Sequence, residues 1–102
     1  MAEDARVYTA GIWTVKPGRE EEFKNAWVEF AKWSFKNAPG GISVELLRST
    51  DDPKVFITVG PWKDAQSVAA WRAMPEFRRF FGIAKELCVD IKPMSLKSVF
   101  SM

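Results

Sequence analysis

The chain has 102 residues, the size of one compact domain and too short for two. Hydrophobic residues make up 47% and charged residues 27%, ordinary globular usage that excludes disorder and fibrous repeats. Fifteen basic residues face 13 acidic ones, evenly spread, so no basic block argues for nucleic acid. Histidine is absent, which removes the usual neutral-pH general base, the commonest metal ligand and every Ser-His or Cys-His dyad.

Met1-Ala2-Glu3-Asp4 is acidic and has no apolar signal core. No apolar stretch approaches the ~18 residues that span a bilayer, so a cytoplasmic protein without membrane contact is expected. Val7 to Val15 is rich in β-branched and aromatic residues and ends at Lys16-Pro17-Gly18, the signature of a strand and its turn. Glu20, Glu21 and Glu22 then favour the positive end of a helix dipole. Phe23, Ala26, Trp27, Phe30, Ala31 and Ser34 recur at helical spacing until Asn37-Ala38-Pro39-Gly40-Gly41 stops the run.

Ile42 to Ser49 alternates, with Ile42, Val44 and Leu46 expected on one strand face. Thr50-Asp51-Asp52-Pro53 is a turn, and Val55 to Trp62 is apolar on both faces, so the two strands form a hairpin. Asp64 is placed to cap a short helix through Ala73, and Pro75 opens another at the first helical position. Phe77, Phe80, Phe81, Ala84 and Leu87 give that helix an apolar stripe, at whose end Cys88 reads as a buried, inert thiol. Val89 to Phe100 is the last strand, with Pro93 marking an edge or a bulge.

The order β-α-β-β-α-β predicts an α+β, ferredoxin-like sandwich without linker or convincing internal repeat. Helices on one face leave the other uncovered, yet Tyr8 and Ile12 alternate with Val7 and Trp13, and Val55 and Ile57 with Phe56 and Trp62. A second copy packed sheet to sheet is the expected cover.

Chemical motifs are missing: there is no G-x-G-x-x-G, P-loop, C-x-x-C or H-E-x-x-H. Asp51-Asp52 is explained by its turn and Arg78-Arg79 by a wet helix face. The unusual element is the aromatic load of eight Phe, five Trp and one Tyr. Trp27 belongs to the core stripe. Trp62 and Trp71 bracket the short helix and are candidates for the wall of an apolar pocket.

Trp13-Thr14-Val15-Lys16-Pro17-Gly18, the helix opening Glu22-Phe23, Pro61-Trp62-Lys63-Asp64 through Ser67 to Trp71, and Pro75-Glu76-Phe77 together resemble the antibiotic biosynthesis monooxygenase family. The resemblance spans residues 7 to 100 and implies one domain, 1–102, forming a dimeric α+β barrel. Members that oxidise polycyclic phenols without metal or flavin use an Asn, a Trp and a Tyr, whose places correspond to Ser67, Trp71 and Phe77. Quinol-oxidising members carry His at the places of Trp71 and Glu76. The haem-degrading branch uses an Asn, a Trp and an iron-ligating His, at the places of Gly11, Trp71 and Phe81, and the lack of histidine argues against it.

The resemblance therefore implies a cofactor-independent monooxygenase acting on a small aromatic or quinol-like molecule, with no metal site. Trp71, Arg72 and Ser67 are its candidate catalytic residues. Trp71, Trp62, Phe77, Phe81, Trp13 and Arg78 are the candidate substrate contacts, with Arg72 or Arg78 facing an oxyanion. The alternative is a non-catalytic homodimer that binds a hydrophobic metabolite; the residues at positions 67, 77 and 81 favour it.

Overall fold

The computed structural model describes residues 6–102, so the acidic Met1 to Asp4 segment lies outside the described residues. Strand β1 (Val7–Val15) leads to helix α1 (Glu20–Asn37), then to the hairpin of β2 (Glu45–Arg48) and β3 (Val55–Trp62). Helices α2 (Ala65–Arg72) and α3 (Pro75–Glu86) follow, and β4 (Cys88–Lys97) closes the chain. The four strands form one antiparallel sheet in the order β2-β3-β1-β4, the ferredoxin-like arrangement. All three helices lie on one face of it. Among the described residues, no helix is long and apolar enough to cross a membrane.

The local signals act as their chemistry dictates. Glu20, Glu21 and Glu22 occupy the first turn of α1, where Arg19 Nε donates to Glu22 at 2.6 Å. Asp64 caps α2 by accepting the Ser67 backbone N–H at 2.8 Å and the Ser67 hydroxyl at 2.7 Å. These two bonds hold the Asp64 carboxyl below its ordinary pKa. Pro75 stands at the start of α3, where its missing N–H costs nothing.

The first strand of the hairpin is shorter than its alternation predicts. Gly41 bridges Trp62, and regular pairing resumes only at Glu45 and Val59. Residues 42–44 on one side of the hairpin thus face only 60 and 61 on the other, a bulge that breaks the ladder. Ile42 is turned out to solvent at 50% exposure, whereas Val44 packs against the core with Leu46. A second irregularity falls between Thr14 and Val15, opposite Asp90 and Cys88, and not at Pro93. Pro93 sits opposite Gly11 on β4, an edge strand that tolerates a missing N–H. Cys88 is the first residue of β4 rather than the last of a helix, and its half-buried thiol meets the Ala84 carbonyl at 3.5 Å.

The core lies between the sheet and the helices in two clusters. One joins Trp13, Val15 and Phe56 of the sheet to Phe23, Trp27 and Phe30 of α1 and to Ala84 and Leu87. The other joins Ala38, Trp62 and Val68. Phe23 and Val15 are fully buried, and each such side chain contributes about 1.5–3 kcal/mol. Trp71 packs against both clusters, and the space between them is not filled.

The opposite face of the sheet carries Tyr8, Ala10 and Ile12 from β1, with Ile57 and Val59 from β3 beside them. Leu47 extends this surface toward one edge, and Met94 and Leu96 toward the other. Among the described residues no helix covers it, and Leu47, Ile57 and Leu96 are exposed.

Candidate functional site

The two central strands lay the floor. Register places Thr9 opposite Gly60 and Gly11 opposite Thr58, with Trp13 and Trp62 at the two ends of this block. Trp13 leans along its own strand and donates its indole N–H to Thr58 at 3.2 Å. Trp62 does the converse, donating to Thr9 of β1 at 2.9 Å. Both central strands carry the same pentapeptide, Thr-x-Gly-x-Trp, at Thr9-Gly11-Trp13 and at Thr58-Gly60-Trp62. Antiparallel pairing turns that repeat into a local two-fold arrangement of hydroxyls and indoles.

The glycines make it possible. A Cβ on Gly11 would stand 2.9 Å from Trp13 Nε1 and 3.1 Å from Thr58 Oγ1, so any side chain there would push the pair apart. At Gly60 a Cβ would collide with the Ser43 carbonyl, which the bulge brings against the strand.

Helices supply the roof. Trp27, Phe30 and Ser34 descend from α1, Trp71 and Arg72 from α2, and Phe77 and Phe81 from α3. With the floor they enclose a cavity of about 420 Å³, within the ~300–1,000 Å³ of ordinary small-molecule sites. Its walls are aromatic. Trp71 meets Trp62 with ring centroids 4.8 Å apart and Phe77 edge-on at 4.7 Å, and it stacks on Phe30 at 5.7 Å. Phe81 stacks on Phe77 and touches Trp13 at 5.5 Å. Trp71 is itself held by its indole N–H, which donates to the Ser34 hydroxyl at 2.9 Å.

Sequence-derived candidates are distributed unequally around this space. Trp13, Trp62, Trp71, Arg72, Phe77 and Phe81 all line the cavity. Ser67 does not; its hydroxyl is spent on Asp64 at the cap of α2. Arg78 lies exposed on α3 and is not in the lining either. The hydroxyls of Thr9, Ser34 and Thr58 were not anticipated, and the signal that identifies the two threonines is the repeated pentapeptide.

Arg72 is the one charged residue among the described residues of the lining, and its Nη1 donates to Ser95 of β4 at 3.2 Å. Among the described residues no carboxylate, thiol or phenol lines the space, so its walls present hydrogen-bond donors and aromatic faces but no strong base. Cys88 stands outside it, its thiol pushed from an ordinary 9.0 to about 11 by burial, against a smaller opposing pull from Lys16. Among the described residues, no cluster of His, Cys, Asp or Glu is arranged to hold a metal ion. Trp27 Nε1 is buried without an acceptor among the described residues, unlike the other three cavity indoles.

The same architecture occurs in solved structures of low sequence identity. A variant of SnoaB, a cofactor-independent oxygenase from Streptomyces nogalater, superposes with a TM-score of 0.87 at 21% identity, over 95% of this chain and 96% of that one. A Nitrosomonas europaea protein provisionally described as an antibiotic biosynthesis monooxygenase gives 0.82 at 20%, over 98% and 97%. A conserved protein from Methanosarcina mazei gives 0.79 at 17%, over 92% and 91%. At these identities the likeness is one of fold. No curated protein matches the chain. Residues 7–82, from the first strand of the floor to the middle of α3, match the model of the antibiotic biosynthesis monooxygenases, and the chain belongs to that family.

Proposed function

We propose that the protein is a cofactor-independent monooxygenase that oxidises a small aromatic or quinol-like substrate inside this cavity. The observation that carries the reading is the lining itself: an aromatic enclosure whose polar groups are hydroxyl and guanidinium donors, with no strong base. An electron-rich substrate that ionises easily reduces O₂ by itself, and a protein accelerates it by holding the ring, excluding water and stabilising the anion. Trp71, Trp62 and Phe77 hold the ring on this reading, and Arg72 faces the developing oxyanion. In balanced form the substrate gives up a proton to solvent and its anion gives an electron pair to O₂, making a C–O bond. The peroxide takes a proton back, and loss of its C–H proton with cleavage of the O–O bond releases water and leaves a carbonyl. The low-identity likeness to an oxygenase from Streptomyces nogalater supports the same chemistry.

On this reading residues 7 to 100 act as one domain, and two copies pack through the open sheet face of Ile12, Ile57 and Leu47. A second reading, a non-catalytic binding protein, is favoured by one observation. The places where phenol-oxidising relatives were expected to carry Asn and Tyr hold Ser67, tied to Asp64, and Phe77, without a hydroxyl. Oxygen consumption with a panel of hydroquinones and anthrone-like phenols separates the two. Enzyme-dependent uptake with one oxygen atom incorporated from ¹⁸O₂ supports the monooxygenase. Saturable binding with no uptake above the uncatalysed rate supports the binding protein.

A further inference from the structure

The threonine–tryptophan pairs on the floor have a property that the reading above does not use. A hydroxyl carries one proton to donate and two lone pairs to accept. In both pairs the indole, which can only donate, occupies a lone pair of the threonine oxygen. Among the described residues neither threonine hydroxyl donates to any acceptor, and both line the cavity. Thr58 is 6% exposed and Thr9 is half-buried, and both are reached from the cavity. A buried hydroxyl with an unused proton at the wall of a cavity is an unsatisfied donor that a ligand can complete. Accepting a bond also polarises the hydroxyl and makes it a stronger donor. Ser34, on the roof, accepts the Trp71 indole in the same way; the two threonines are set apart by sharing the floor, on paired strands.

We infer that Thr9 and Thr58 are the specificity-determining donors of the cavity, each giving its O–H to an acceptor oxygen on the bound ring, a ketone carbonyl or a phenolate. The inference rests on the cavity being an aromatic-ligand site and narrows the ligand to one with acceptor oxygen on its floor-facing edge. A protonated amine or an unsubstituted hydrocarbon of equal size leaves both hydroxyls unsatisfied and is disfavoured. The same donors prefer the ionised form of a phenol, so the cavity draws a bound phenol toward phenolate without a basic side chain.

The test uses two flat probes of nearly equal shape, 9-fluorenone with a carbonyl acceptor and fluorene without one, read by quenching of the protein's tryptophan fluorescence. Wild-type protein is expected to bind 9-fluorenone more tightly, by about fivefold for each hydroxyl engaged. The carbonyl stretch of bound 9-fluorenone should shift to lower frequency. Thr58→Val alone would free the Trp13 N–H to take the ligand itself, so the hydroxyl and indole are removed together, as Thr58→Val with Trp13→Phe and as Thr9→Val with Trp62→Phe. Each paired removal should cut the preference for the ketone about fivefold while shifting both probes' affinities together for any change of shape. Thr58→Ser, which keeps the hydroxyl, should keep the preference. Equal affinity of wild-type protein for the two probes, or a preference untouched by both paired removals, overturns the inference and leaves the aromatic site standing. Failure of both probes to bind removes the aromatic site and the inference with it.

Discussion

The indole N–H of Trp71 donates to the Ser34 hydroxyl at 2.9 Å, tying the short helix α2 to the last turn of α1 over the cavity. Trp71 is also the ring shared by both halves of the core. Ser34→Ala should therefore cost about 1–3 kcal/mol, because it strands a partly buried donor rather than deleting a pair. Trp71→Phe keeps most of the apolar face and should lose about 1–2 kcal/mol. Combining the two should cost less than the sum of the single losses in urea unfolding, since neither group is then left without a partner. With a bound phenol, Trp71→Phe should also reduce the ligand-induced rise in melting temperature; an unchanged rise would assign Trp71 to the core alone.

Gly11 admits the Trp13 indole to Thr58, and Gly11→Ala puts a methyl group 2.9 Å from the indole nitrogen. The pair must separate, with an expected loss of about 1–3 kcal/mol and a shift in tryptophan emission. Gly82→Ala is the control, because nothing lies within 4 Å of a Cβ there and the helix gains a better former.

Trp13 and Trp27 should behave differently on truncation to Phe. Trp13→Phe leaves Thr58 without its indole donor, whereas Trp27→Phe removes an N–H that has no acceptor among the described residues. The Trp27 variant should be the more stable of the two in thermal unfolding. The reverse order would mean that the Trp27 indole finds an acceptor.

The exposed row of Leu47, Ile57 and Leu96 should be an obligate interface, on the order of 2,000 Å² in total. Ile57→Asp places a charge at its centre and should convert the particle to a monomer in light scattering. A wild-type chain that runs as a stable monomer at micromolar concentration would count against the dimer directly.

Burial favours the neutral thiol of Cys88 and raises its pKa from 9.0 to about 11. Folding therefore draws stability from this group below pH 9, and loses it between about pH 9 and 11 as the unfolded thiol ionises first. Alkylation of the folded protein should be slow at pH 8 and accelerate steeply toward pH 11, while the unfolded chain reacts readily at pH 9. Cys88→Ala should flatten the stability loss over that window.

Helical spacing carries α1 because a single buried face sets its pattern, and β1 and β3 are legible as apolar, β-branched and aromatic runs bounded by turn residues. The start of β2 was not legible: alternation over residues 42–49 assumes a continuous ladder, and the bulge depends on where Ser43 meets Gly60. The aromatic residues around the cavity stood out by size and number. Thr9 and Thr58 did not, because a small polar residue in an alternating strand reads as an exposed one. Thr-x-Gly-x-Trp becomes meaningful only once β1 and β3 pair antiparallel with the two copies face to face, and that is tertiary information.

The bulge at residues 42–44 separates two kinds of variation that a regular strand would couple. In an unbroken ladder, inserting or deleting one residue inverts every side chain beyond it, so length cannot change without exchanging core for surface. Here the mismatch is already absorbed between two fixed points, the Gly41 bridge and the Glu45 pair, and only Ser43 and Val44 of that stretch reach the cavity wall. Lengthening or shortening this stretch reshapes one wall of the cavity while the paired strands keep their register. The chain thus has an adjustable joint beside its cavity, where the wall can change shape without refolding the scaffold.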